Sequence, residues 1–299
     1  MARTSLTPFH AALALLVIVV WGINFVVIKV ALGHLPPLTF AALRFTLAAF
    51  PALLFVRPPK VPVKGLAIYG LLIGTGQFGL LFIAMRGMIS PGLASLVIQT
   101  QAFFTIGFAM AFAGERLRGY QVWALLLATA GLGWMMAHSG AEVTWLGLAL
   151  TLGAALSWAA GNTVQRALQP PDMLAFVVWS SLFAAPTLFA LAIGVEGWNA
   201  VTGAIVHADA GTWAAVAFQS FGNTILGYGV WGFLLNRYSA AAISPLSLLV
   251  PVFGMAASAA FLGEPFSDWK AVATGLVLGG LALNTFWPMW TRRRSVLAE

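Results

Sequence analysis

WGINFVVIKVALGHLPP, residues 21–37, and WAAGNTVQRALQPPD, residues 158–172, are two versions of one design. Each opens on a Trp, places an Asn three or four residues later and a cation at the eighth step, and ends in paired prolines. In the first copy these are Trp21, Asn24, Lys29, Pro36 and Pro37; in the second they are Trp158, Asn162, Arg166, Pro170 and Pro171. A second pair of stretches runs from Ser95 to Glu115 and from Ser244 to Glu264, each ending in Gly-Glu. Ser95 and Ser244, Glu115 and Glu264, and Gly131 and Gly280 all stand 149 residues apart. The chain is therefore an internal duplication, divided at residues 1–140 and 141–299.

The solvent of this chain follows from its composition. Of its 299 residues 61% are hydrophobic and 8% charged, whereas a soluble domain is about 45–50% apolar and about 25% charged. There is too little polar surface to coat a water-soluble globule, and the expected class is an all-α integral membrane protein. A net charge of +7 would suit nucleic acid, but the basic residues fall in short clusters between apolar stretches, where a membrane protein carries its cytoplasmic charges. No nucleic-acid partner is expected. Without cysteine there is no disulfide framework and no thiolate chemistry, and no cofactor is expected.

Charges also punctuate the chain, because a membrane span needs about 20 apolar residues and rejects ions at its centre. Ten helices are predicted, at 10–33, 37–56, 63–86, 89–113, 119–138, 143–168, 173–194, 211–235, 240–262 and 269–289. RPPKVPVK at 57–64, QPPD at 169–172 and GEPFSD at 263–268 are turn chemistry between them. The long connection from Glu196 to Asp209 is expected to lie along the interface. The first apolar run is long enough to span and has no cleavage site after it, so it is expected to be retained rather than removed as a signal peptide.

With the N-terminus in the cytoplasm, that side collects Arg3, Arg57, Lys60, Lys64, Arg116, Arg118, Arg166, Arg237 and Arg292 to Arg294. The other side collects only Lys29, Arg86 and Lys270, so the excess of basic residues places both termini in the cytoplasm. Five helices per half is an odd number, so the two halves insert with opposite orientation. Inverted repeats suit a transporter, since two such halves can open a midplane site alternately to each side.

WGINFVVIKVAL, followed by Pro36, Pro37 and AALRF at 41–45, with Gly-Glu after the fourth and ninth helices, resembles the EamA-type transporters of the drug/metabolite transporter superfamily. Within that group the sequence is most similar to the YddG amino-acid exporters of bacterial inner membranes. The resemblance covers nearly the whole chain. It implies an inner-membrane protein with a central cavity and export of amino acids, including neutral and aromatic ones, or of related metabolites. The alternatives are an exporter of other small metabolites or drugs, and a membrane partner protein that transports nothing. Departures from the repeat are Asp172 and Met173 where the first half has Leu38 and Thr39, and the absence of a second copy of Arg44.

At 1.5 Å rise per residue, the polar residues nearest mid-span are Trp21, Asn24, Gln77, Gln99, Gln101, Trp158, Asn162, Gln219 and Asn223. These are the candidate substrate-binding residues. Trp21 with Asn24, Trp158 with Asn162, and Gln219 with Asn223 share helix faces by their spacing, while Gln99 and Gln101 stand about 200° apart. Amides can meet the carboxylate and ammonium of a zwitterion while indoles cover the rest; the competing reading is ordinary interhelical hydrogen bonding. Pro251 removes a backbone donor in the ninth helix and is the candidate hinge. Gly275 and Gly279 form a small-residue face suited to a neighbour, so the chain is expected as a monomer or weak homodimer.

All eight acidic residues fall at loops or helix ends, whereas ion-driven carriers rely on intramembrane carboxylates. A facilitator or exchanger is therefore expected. There is no HExxH or GxSxG motif and no paired midplane carboxylate, so an enzyme is not expected. Lys29 lies about 12 Å beyond the Trp21 level and can reach the interface on its long stem.

Overall fold

The computed structural model describes residues 7–113, 118–238 and 243–296. Arg3, Gly114, Glu115 and Arg116, used above, lie outside the described residues. The described residues form helices joined by turns and loops, with an isolated bridge pairing Ile89 and Val143. The helices are α1 (Pro8–Ala31), α2 (Pro37–Ala49), α3 (Val63–Met85), α4 (91–113), α5 (Gly119–His138) and α6 (Trp145–Leu168). They continue as α7 (Met173–Val195), the short α8 (Trp198–Val206), α9 (210–237), α10 (244–262) and α11 (Asp268–Val296).

Among the described residues, seven stretches are long and apolar enough to cross a membrane: α1, Pro37–Leu54, α3, Pro91–Phe112, α5, α7 and Asp268–Pro288. Leu246–Leu262 is a shorter apolar helix. α6 and α9 are less apolar because they carry Asn162, Gln165 and Arg166, and Gln219, Ser220, Asn223 and Thr224. Outward-facing Trp123, Leu126, Leu191, Phe261 and Phe286 leave an apolar exterior, as a lipid-facing surface requires.

Local chemistry explains most helix starts. Thr7 caps α1, Thr144 caps α6, Asp172 caps α7 and Asp209 caps α9, each side chain accepting a backbone N–H of the first turn. α2 has only Pro36 at this position. Its cap comes from the end of α7, where Glu196 accepts Leu38 N–H at 2.6 Å, Thr39 N–H at 3.0 Å and the Thr39 hydroxyl at 2.7 Å. Glu196→Gln removes the charge that opposes the helix dipole, and a loss of about 1 kcal/mol in thermal unfolding is expected. A melting curve identical to that of the parent would show the contact to be incidental.

α2 ends at Ala49 rather than at residue 56, because Pro51 follows closely and the chain resumes only as a 3-10 turn over Ala52–Leu54. The region around Pro251 also differs from a simple mid-helix kink. Ser244–Leu249 is 3-10 helix and the α-helix begins at Val250, so Pro251 occupies a first-turn position where a missing N–H is tolerated.

Irregular turns recur at matching places. α3 contains a π-helical segment over Leu71–Gly79 and α9 one over Phe218–Leu226, 147 residues apart at both ends. α4 contains a 3-10 turn at Ile98–Thr100, and its counterpart in α10 is the 3-10 segment just described. α5 and α11 pack closely. A Cβ added at Gly131 would lie 3.0 Å from Ala273 O, and one added at Gly280 would lie 2.4 Å from Ala124 O. Gly275 and Gly279 face open space, so the small-residue face expected from the sequence is unoccupied and the adjacent Gly280 carries the packing.

Candidate functional site

A π-helix adds a residue to one turn, which widens the helix and redirects its side chains; such turns gather at functional sites. In α9 the widened turn buries Gln219, Ser220, Asn223 and Thr224 together. The Thr224 hydroxyl donates to Gln219 O at 2.9 Å, five residues back, and Ser220 donates to Arg44 O at 2.9 Å. Opposite this turn, α1 presents Asn24, itself buried.

Three amides close on one another. Gln219 Nε2 donates to Asn24 Oδ1, Asn223 Nδ2 donates to the same oxygen at 2.9 Å, and Asn223 Nδ2 also reaches Gln219 Oε1 at 3.1 Å. Trp21 completes the group by donating Nε1–H to Asn223 O at 3.3 Å, while its ring packs against Trp231 and Tyr228. Gly227 leaves the room for that indole, since a Cβ there would lie 2.5 Å from Trp21 Nε1. The structure thus gathers Trp21, Asn24, Gln219 and Asn223 across α1 and α9.

The other candidates lie apart from this cluster. Asn162 donates to Gln101 Oε1 at 3.1 Å, joining α6 to α4. Gln99 turns to α10, where its Nε2 donates to Ser247 O at 3.0 Å. That carbonyl accepts Val250 N–H at the end of the 3-10 segment, and the Gln99 amide adds a second donor in place of the N–H that Pro251 lacks. Gln77 is buried on the π segment of α3 with its Oε1 unpaired. Trp158 is half-buried on α6 and packs against the apolar core.

Sequence spacing gave no sign of Ser220 and Thr224 as partners of Arg44. Arg44 is fully buried on α2, donating from Nε and Nη2 to Thr224 Oγ1 at 3.1 and 3.0 Å, with its guanidinium 3.6 Å from the centre of the Phe78 ring. Away from the amides, at the end of the bundle holding the α5–α6 turn, Lys270 is buried, pairs with Glu142 and donates to Pro265 O at 2.9 Å. Nearby, burial pushes the Glu264 carboxyl above the usual carboxylate range despite the attraction of Lys270. Among the described residues no group of His, Asp and Glu could hold a metal ion.

A helical membrane bundle, irregular at two matched helices and polar where they are buried, defines a carrier-like class of protein. The EamA-like transporter family model matches residues 9–137 and again 145–286, and the chain belongs to that family. It is 44% identical over 280 residues to a protein of Salmonella typhimurium named probable amino-acid metabolite efflux pump, covering 92% of this chain and 94% of the relative. A protein of the same name from Escherichia coli strain K12 is 43% identical over 286 residues, covering 94% and 96%. The uncharacterized inner membrane transporter YedA of Escherichia coli strain K12 is 26% identical over 290 residues, covering 94% and 91%. A solved crystal structure, 21% identical and covering 93% of this chain and 97% of that one, superposes with a TM-score of 0.65, which supports the fold.

Proposed function

We propose that this chain is a multi-pass inner-membrane exporter of amino acids and related metabolites, working by alternating access between two inverted five-helix halves with both termini in the cytoplasm. The observation that carries the mechanism is the closed amide cluster of Asn24, Gln219 and Asn223. It joins a helix of one proposed half to a helix of the other. Two of these bonds cross from α1 to α9; at about 0.6 kcal/mol for each interhelical hydrogen bond in a membrane, the cluster holds the halves by only about 1 kcal/mol. A zwitterion, which carries both donor and acceptor groups, can compete with these bonds. Substrate is then exchanged for the contacts that keep the halves together, and its differential binding shifts their equilibrium.

Support for two related halves comes from the paired π and 3-10 segments, from the two stretches matched by one family model, and from the reciprocal packing of Gly131 on Ala273 and Gly280 on Ala124. Those two contacts exchange under a shift of 149 residues, as a two-fold relation requires. Ten spans follow if α6, α9 and α10 cross together with the seven more apolar stretches. Support for the substrate class comes from the names of the two relatives above 40% identity. Support for running down the substrate gradient comes from four of the six described carboxylates: Asp172, Asp209 and Glu196 cap helices, and Glu142 pairs with Lys270.

Purified protein in liposomes, loaded with unlabelled amino acid and offered the labelled form, is expected to show counterflow. No counterflow with any amino acid would end the proposal. Accumulation against a gradient under an imposed pH step alone would end the facilitator part of it.

A further inference from the structure

Arg44 is a buried cation with too few partners. Its side chain is fully enclosed, and among the described residues no carboxylate stands within ion-pair distance of it. A guanidinium has five N–H groups; two meet Thr224 Oγ1, and Nη1 has no partner at all. Thr224 can do no more, because its hydroxyl hydrogen goes to Gln219 O and its lone pairs face Arg44. The rings of Phe78 and Phe45 attract the charge but accept no strong hydrogen bond. An unpaired charge within a membrane protein is costly, and the long side chain does not snorkel out, since none of it is exposed.

The surroundings are unfinished in a complementary way. Beyond Thr224 a void of about 10 Å³, room for about one water, is bounded by Tyr69, Ser180 and Tyr228. The Ser180 hydroxyl is buried and unpaired, and Thr224, the partner of Arg44, lines the same void. The π segment of α3 that places Phe78 under the guanidinium also carries Gln77, whose Oε1 is an unpaired acceptor.

We infer that Arg44 is the anchor for the α-carboxylate of the transported substrate, held by the π turn of α9 with Nη1 free to receive it. This rests on the transport function proposed above and narrows its substrates to molecules with a free carboxylate. A zwitterionic amino acid fits best: its carboxylate neutralises Arg44, and its ammonium finds acceptors such as Gln77 Oε1. Binding there also touches Thr224, and through the Thr224–Gln219 bond it reaches the α1–α9 amide cluster.

The test is a competition series in proteoliposomes with radiolabelled neutral amino acids and their unlabelled α-carboxamides. With the wild-type protein, the carboxamide is expected to compete at least tenfold more weakly than the parent acid. Arg44→Gln is expected to melt as a folded protein, to lose acid flux more than tenfold, and to treat acid and carboxamide alike. Equal competition by the carboxamide in the wild type, or acid flux unchanged in Arg44→Gln, overturns the anchor while leaving transport intact. A wild type that moves none of the panel overturns the transport proposal and the anchor with it. Equal competition in the wild type overturns the anchor even if the Arg44 variant does not fold.

Discussion

Gly280→Val is expected to lower the stability of the detergent-solubilised protein by about 3 kcal/mol, whereas Gly279→Val, one residue away, is expected to be close to neutral. The contrast rests on what each new side chain meets. At Gly280 the first added atom would stand 2.4 Å from the carbonyl oxygen of Ala124, a backbone atom held by the hydrogen bonds of α5. Nothing there can rotate aside, so the two helices must separate, and overpacking of this kind costs about 1–3 kcal/mol or more. At Gly279 nothing lies within 4 Å. Lipid is as apolar as the side chains, so close approach through small residues is itself the main source of helix association, and forcing the axes apart removes contacts that water exclusion does not replace. Thermal unfolding followed by tryptophan fluorescence measures both variants; equal midpoints would show that the α5–α11 contact is soft. Gly131→Val, the reciprocal substitution facing Ala273 and Val277, is expected to resemble Gly280→Val in sign.

Most helix positions were legible from charge spacing, because hydrocarbon excludes ions so strongly that Lys, Arg, Asp and Glu mark the ends of spans. Recurring residues such as Trp21 and Trp158 are what point to the proposed duplication. Three features were not. Pro51 looked like part of α2 because its neighbours are as apolar as any in the helix, and only the missing donor ends it. The π segments escaped notice because side-chain patterns are read at 3.6 residues per turn; Gln219 and Asn223 satisfy that period, whereas the Gln219–Thr224 link needs five. Pairing across the chain was also hidden. Asn24 and Gln219 are 195 residues apart, and nothing local in either stretch names the other. Gln99 shows the same limit: the sequence points to a missing donor at Pro251, and only the fold shows which side chain reaches the Ser247 carbonyl.

Asn24→Leu is expected to cost about 2 kcal/mol in stability and to reduce amino-acid flux more than tenfold, and the two effects can be separated. Asn24 Oδ1 accepts from both Gln219 and Asn223, so its removal strands two buried donors. An orphaned buried donor costs about 1–3 kcal/mol, although membrane interiors sit at the low end because alternative partners are found. Replacing every partner of a buried network by apolar groups of similar shape, by contrast, is nearly neutral. The triple variant Asn24→Leu, Gln219→Leu, Asn223→Leu should therefore regain most of the stability lost by the single one. If the cluster only packs helices, flux returns with stability. If the amides are where substrate takes over the contacts between α1 and α9, flux stays lost in a protein that melts normally. The Trp21 bond to the backbone oxygen of Asn223 needs none of these side chains, so Trp21 keeps a partner in all variants. The decisive result is a triple variant with restored melting and absent counterflow; restored counterflow would assign the amides to packing alone.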